Sequence, residues 1–299
     1  MGYLHIDNLY KNQEILNFKE CYALEKIHGT SAHISFLKHP EREIDDEGTV
    51  ELASYSINFF AGGVSYESFK KLFDENNLVN KFKELDLQKM TIYGEAYGGK
   101  CQKMSETYGK ELKFVAFDVK IGECWLNVPK AEEIVKELGL EFVDYVRIPT
   151  DLKYLDKQRD GDSVQAVRNG MGHGKIREGI VLRPLEEYTK NNGERIIVKH
   201  KGELFKETQT PRQVNPDKLL VLVEAKEVAN EWVTQMRLIH VLDKLDNTSI
   251  QDTGTVIKTM IEDVKREGEK EIIWSKGVAK AIGKATAILF KEYLKNQLK

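Results

Sequence analysis

Through the first two-thirds of the chain, apolar residues alternate with polar ones over short stretches, whereas in the last third they recur every three or four positions. The contrast predicts a mixed sheet-and-helix domain followed by a helical one. Segments 21–25, 91–93, 113–119, 179–183 and 195–199 are short and rich in β-branched or aromatic residues, which predicts strands. Segments 65–72 and 130–138 read as helices between them. Further on, Trp232, Met236 and Ile239, then Ile257, Met260, Ile261 and Val264, then Val278, Ile282, Ala285 and Leu289 keep a helical period, so each set predicts a helix with its apolar stripe on a core. Between the two regions, residues 208–217 read Thr-Gln-Thr-Pro-Arg-Gln-Val-Asn-Pro-Asp, and the two prolines and polar composition mark a linker. The expected domains are therefore 1–210 and 217–299.

Composition narrows the class without naming a function. With 299 residues, 41% hydrophobic and 31% charged, the chain is long enough for two cores and too apolar to stay disordered. It has no apolar run of roughly 18 residues, and Met1-Gly-Tyr-Leu-His lacks the basic and apolar regions of a signal peptide, so a cytoplasmic protein without a membrane partner is expected. Cys21, Cys101 and Cys124 form no CxxC pair and are expected to be buried free thiols. The net charge of −3 announces no polyanionic partner, so any such partner must be met by local charge. Local charge leans basic at the end, where Lys276, Lys280, Lys284, Lys291, Lys295 and Lys299 face one acid, Glu292.

Candidate chemistry starts at Glu25-Lys-Ile-His-Gly-Thr. A lysine here directly follows an apolar strand, and the glycine three residues on is expected to hold a turn that other residues disfavour. Four more strings follow: Tyr93-Gly-Glu-Ala-Tyr-Gly-Gly, Phe114-Val-Ala-Phe-Asp-Val, Arg177-Glu-Gly-Ile-Val-Leu-Arg and Val198-Lys-His-Lys. A KxxG string alone is weak, but the ordered set is specific.

An ordinary lysine, with a pKa of about 10.4, offers its free amine in roughly one molecule in a few thousand at neutral pH, so a lysine nucleophile needs positive charge beside it. Lys199 and Lys201 point to one face of a strand and are expected to supply that charge. A divalent cation pushes the same way and requires carboxylates, for which Glu95 and Glu178, each beside a glycine at a strand edge, are the candidates. Phe117, in mid-strand, offers a stacking surface for a base.

The ordered motifs resemble those of the covalent nucleotidyltransferases, a superfamily of DNA ligases, RNA ligases and capping enzymes. They are most similar to the RNA ligase 2 family, because Lys-Ile-His-Gly carries a histidine where DNA ligases generally carry aspartate. The resemblance spans about residues 21–206 and continues into Glu231-Trp-Val-Thr-Gln-Met-Arg-Leu-Ile-His-Val-Leu, which looks like the family's helix with a threonine and an arginine. It implies an α+β fold, an ATP-grasp-like nucleotidyltransferase domain of antiparallel sheets and helices, followed by a small all-α domain. It implies an ATP-dependent enzyme joining RNA 3′-OH and 5′-phosphate ends through lysyl-AMP and RNA-adenylate, at nicks in duplexes. Lys26 would take AMP from ATP with Mg²⁺ or Mn²⁺, within an ATP site that includes Glu25, Ile27, His28 and Gly29. Glu95 would meet the ribose, Phe117 the adenine and Glu178 the metal. Arg183, Lys199 and Lys201 would contact phosphates, and Thr234 and Arg237 would face the RNA end. The implied partners are ATP and RNA, bound by a monomer.

Two departures bear on this implication. Ser31 stands where the family usually has asparagine, and Leu52-Ala-Ser-Tyr-Ser-Ile-Asn has no basic residue where the family has an arginine. Two alternatives therefore stay open: a DNA ligase or capping-type enzyme, which would append a barrel after the lysine-rich motif, and an RNA-binding relative that has lost sealing.

Overall fold

Alternation along the strands decides which faces become core. The structure, a computed structural model, describes residues 2–39, 42–43, 50–51, 54–190, 193–207, 224–245 and 248–297. The expected linker at 208–217, and Leu52 and Ala53, lie outside these residues. Two compact units emerge, Met1–His5 with Ile15–Ile197, and Ile6–Glu14 with Val198–Lys299. The first strand, β1 (Asp7–Asn8), belongs to the second unit.

In the first unit, β2 (Glu20–Lys26) leads into β3 (Thr30–Lys38), a short ribbon of β4 (Arg42–Glu43) and β5 (Val50–Glu51), and then β6 (Tyr55–Ala61). Helices α1 (Tyr66–Lys70) and α2 (Glu75–Glu84) precede β7 (Lys89–Tyr97), and α3 (Ser105–Tyr108) precedes β8 (Lys113–Ile121) and β9 (Cys124–Trp125). The unit continues through α4 (Val128–Glu137), β10 (Tyr145–Pro149), α5 (Leu152–Arg159), α6 (Val164–Arg168) and β11 (Gly179–Pro184). One antiparallel sheet runs β6-β3-β7-β8-β9, and in a second, β2 lies antiparallel between β11 and β10. The expected strands 21–25, 113–119 and 179–183 are present and 91–93 lies within the much longer β7, whereas only Val198 and Lys199 of the expected 195–199 are in a strand; β3, β6 and β10 are additions.

Ala32, Ile34 and Phe36 of β3 point to one face, where Phe69 of α1, Phe82 of α2, and Val128, Ala131 and Val135 of α4 complete a core. Each large apolar side chain so buried contributes about 1.5–3 kcal/mol. The helices begin where side chains can cap them: Ser65, Asp74, Asn127, Asp151 and Ser163 each accept a backbone N–H at the start of α1, α2, α4, α5 and α6. Between β7 and β8 the register slips, since Tyr93 faces Asp118 while Gly94 faces Ala116. Phe117 is the extra residue of this bulge, a device that re-aims a side chain. Cys21 and Cys101 are buried as expected, but Cys124 is exposed, because two-residue β9 ends its sheet.

The second unit pairs β1 in parallel with β12 (Val198–Lys201) and continues with α7 (Ala225–Trp232), α8 (Gln235–Asp243), α9 (Thr253–Glu267) and α10 (Lys276–Gln297). Val228, Trp232, Leu238, Val241, Val256, Met260, Val264, Val278, Ile282 and Phe290 form its core. The expected single helix through 231–242 is two helices. Thr234 is extended and caps α8 by accepting the Arg237 N–H at 3.2 Å. The break resets the period, so Leu238 and Val241 are buried in place of Met236 and Ile239. Among the described residues, no helix is long and apolar enough to cross a membrane.

Arg237, 2% exposed, ends in an ion network rather than at a surface. Its guanidinium meets Asp263 at 2.6 Å and Glu207 at 3.2 Å and donates to the Trp232 carbonyl at 3.0 Å. Asp263 also receives Lys244 and Arg266, and Glu207 receives Lys201. Thr234 and Arg237 therefore hold this unit together, and acids at 207 and 263, far away in sequence, claim the arginine.

Burial pushes the Asp263 carboxyl up, but Arg237 and then Lys244 outweigh it and hold it below the usual range. Glu207 is depressed likewise: burial raises it, and Lys201 and Arg237 overcome that. A depressed carboxylate stabilises the fold above its unfolded pKa and loses that contribution as pH falls. The thermal midpoint of unfolding is thus expected to fall from about pH 5 towards pH 2. Asp263→Asn should flatten this acid limb; an unchanged limb would show that the network carries no linked protons.

Candidate functional site

At the end of β2, alternation sends Glu25 and Lys26 to opposite faces of the sheet. Lys26 pairs in register with Gly179, the first residue of β11, so Glu178 lies beside it. Lys26 Nζ sits 2.8 Å from Glu178 Oε2, and His28 Nδ1 reaches the same oxygen at 3.2 Å. Glu178 is 1% and His28 7% exposed, while the Lys26 side chain keeps 23% of its surface open. A buried carboxylate thus fixes an accessible amine and an imidazole, which short range and burial make stronger than a surface pair.

The turn between β2 and β3 is held from below. The His28 N–H donates to the Tyr108 hydroxyl at 3.3 Å, and the Gly29 N–H donates to Glu95 Oε1 at 3.1 Å. Ile27, 5% exposed, packs into the core. Gly29 is required for a reason other than the expected turn conformation, since its φ is not positive. A Cβ there would lie 2.4 Å from the Ala96 carbonyl and 2.9 Å from Tyr97 Cβ, so the close approach of β7 excludes any side chain. Glu95 is thereby placed beside the lysine turn, facing Ser31 across β3 and β7.

Glu25 turns away from this cluster. It accepts Ser163 Oγ at 2.5 Å and the N–H groups of Val164 and Gln165 at 2.9 and 3.3 Å, tying the lysine's strand to the start of α6. Burial pushes its carboxyl up, against the opposing pull of Ser163 and Arg177. Its side chain is an anchor, a role that the sequence motif does not display.

Phe117, half-buried on its bulge, meets the Tyr3 ring edge-on at 4.9 Å. Tyr3 also packs against Tyr93 and Trp125 and donates its hydroxyl to Asp118 at 2.7 Å. Sequence reasoning missed Tyr3, for nothing local marks a tyrosine near a terminus.

Arg183, expected among phosphates, is 1% exposed and pairs with Asp118 at 3.0 Å, with Glu187, and with the Leu126 carbonyl at 2.5 Å. Arg195 reaches the same Asp118 at 2.6 Å and lies over the Trp125 ring. A fully buried guanidinium must be paired inside the protein. Lys199 and Lys201 belong to the second unit, where they pair with Glu267, at 3.2 Å, and Glu207.

Among the described residues, no group of three or more His, Cys, Asp or Glu side chains is placed to hold a metal ion. A single carboxylate such as Glu178 nevertheless fits Mg²⁺, which keeps several waters and is usually held by one or two carboxylates together with phosphate oxygens.

The family described as RNA ligase matches residues 19–201. A comparison with curated proteins gives no match. Among solved structures, a lysine-to-alanine mutant of Naegleria gruberi RNA ligase with ATP and Mn, and the same ligase with PPi, each align with 16% identity and a TM-score of 0.48, covering 69% of this chain and 57% of theirs. A lysine-to-methionine mutant with AMP and Mn aligns at 15% identity and a TM-score of 0.47, with the same coverage. The chain thus spans less than two-thirds of the length of those structures.

Proposed function

Because this chain belongs to the RNA ligase family, we propose that it is an ATP-dependent RNA ligase of the RNA ligase 2 type, joining 3′-OH and 5′-phosphate RNA ends at nicks in duplexes. The observation that carries the reading is the accessible Lys26 amine held 2.8 Å from buried Glu178, with His28 on the same oxygen.

In the first step Lys26 Nζ gives up a proton and forms a bond to the α-phosphorus of ATP. The bond from that phosphorus to the bridging oxygen breaks, and pyrophosphate leaves with its electron pair. Glu178 Oε2, hydrogen-bonded to Nζ, would receive the proton and orient the amine for in-line attack. His28 would donate to the departing phosphates. Glu95 would take the ribose and Phe117 the adenine face. Glu25 acts through Lys26 by anchoring its strand. A divalent cation, Mg²⁺ or Mn²⁺, would be held by Glu178 and would neutralise phosphate charge.

In the second step an oxygen of the RNA 5′-phosphate attacks the same phosphorus, and Lys26 leaves and regains its proton. In the third, the 3′-hydroxyl attacks the 5′-phosphorus, losing its proton as AMP departs, and the phosphodiester is closed. Four helices after residue 223, among the described residues, support this reading over a barrel-bearing DNA ligase or capping enzyme. Ser31 and the missing basic residue near Ser54 favour one second reading, a relative that adenylylates but does not seal.

Sealing of nicked duplexes, with each strand at the nick varied between RNA and DNA, tests the proposal. Sealing that requires RNA on the 3′-OH side is expected. Normal adenylylation without sealing of any duplex would select the second reading.

A further inference from the structure

Helix α10 is 22 residues long, about 33 Å at 1.5 Å per residue. Val278, Ile282, Thr286 and Phe290 are fully buried, so one arc of the helix is committed to the core of the second unit. Lys276, Lys280, Lys284, Lys291 and Lys295 are all exposed. At 3.6 residues per turn they fall within an arc of about 100°, on the side away from the buried residues. Among the described residues none of the five has an ion-pair partner, whereas Lys11, Lys199, Lys201 and Lys244 of the same unit are each paired with an acid. Glu292, the one acid of the helix, lies on the flank of the arc. Like charges four residues apart, as at Lys276/Lys280, Lys280/Lys284 and Lys291/Lys295, repel at a cost of a few tenths of a kcal/mol each. A bound polyanion would relieve that repulsion.

We propose that this stripe is a track for the phosphate backbone of an RNA duplex. Lys276 to Lys295 spans about 28 Å, long enough to meet several successive backbone phosphates. Ammonium groups without interleaved aromatic or amide side chains attract phosphates but read no bases, so the contact is independent of sequence. A membrane surface fits poorly, because a helix that lies on lipid inserts its apolar face, and here that face is inside the unit. The RNA nature of the duplex rests on the ligase reading; the phosphate track itself stands on the charge pattern.

The experiment uses the full chain and a fluorescent RNA duplex with a 5′-hydroxyl at its nick, so that sealing does not intervene. Binding is followed by anisotropy across a salt series from about 50 to 200 mM. The triple variant Lys280→Ala/Lys284→Ala/Lys291→Ala should flatten the plot of log affinity against log salt by about 2.7, roughly 0.9 for each lost contact, and weaken binding at low salt about tenfold or more. The matching Lys→Arg triple variant should keep the wild-type slope. An unchanged slope in the alanine variant overturns the track, as does loss of binding to phosphatidylserine vesicles with RNA binding retained. Adenylylation of Lys26 is measured on the same proteins and should be equal in all. If even the wild type fails to label while the slope still flattens, the ligase reading falls and the track stands.

Discussion

Lys26→Ala is expected to leave no AMP on the protein after incubation with α-labelled ATP and magnesium, and to lower sealing by at least about 10³-fold. The loss follows from the chemistry, for alanine carries no nucleophile. Lys26 Nζ lies 2.8 Å from Glu178, and the neighbouring imidazole is held on that carboxylate through Nδ1. Lys26→Arg should fail as fully, because a guanidinium stays protonated at any working pH. The fold should survive: the side chain is part-exposed, and Glu178 keeps its contact with His28, so a melt within a few degrees of wild type is expected. Retention of label by Lys26→Ala would end the enzymatic assignment, and loss of label with a collapsed melt would leave Lys26→Arg as the deciding variant.

Asp118→Ala should be the most damaging single change to the first unit. Its carboxylate is fully buried and receives Arg183 at 3.0 Å, Arg195 at 2.6 Å and the Tyr3 hydroxyl at 2.7 Å. Removing it leaves two buried guanidinium groups to share Glu187 alone, which costs about 3–5 kcal/mol, or a fall in melting temperature of roughly 6–20 °C for a unit of this size. Arg183→Ala should destabilise comparably, since Asp118 and Glu187 would lose a shared cation. The family's phosphate role for Arg183 predicts a different outcome, a raised KM for ATP with an unchanged melt. Measuring both quantities on Arg183→Ala decides between them, and a normal melt with a weakened KM would refute the structural role.

The same arginine shows where sequence reading stops. Residues 177–183 announce a strand edge with a carboxylate and two cations, and Glu178 lies beside Lys26 as that spacing implied. Whether Arg183 faces ligand or protein depends on Asp118, 65 residues away, and on Glu187 beyond the strand. Arg237 repeats the lesson with Asp263 and Glu207. Thr234 shows the converse: a threonine before an apolar run is a local cap signal, yet the helical period across it hid the break.

What the amino-acid order determined by itself is local: the alternation that makes β2, β8 and β11 strands, the capping residues that start helices, the periodic stripes of α9 and α10, and the ordered motifs that nominate Lys26 and Glu178. These are legible because backbone geometry repeats every two or 3.6 residues and motif chemistry depends on residue type. The tertiary structure decided which charge meets which, that the Glu25 side chain anchors its strand to the start of α6, that Tyr3 backs Phe117, and that Gly29 is needed for lack of room. Those outcomes depend on strands paired across distant parts of the chain and on burial, which makes an unpaired charge too costly to leave.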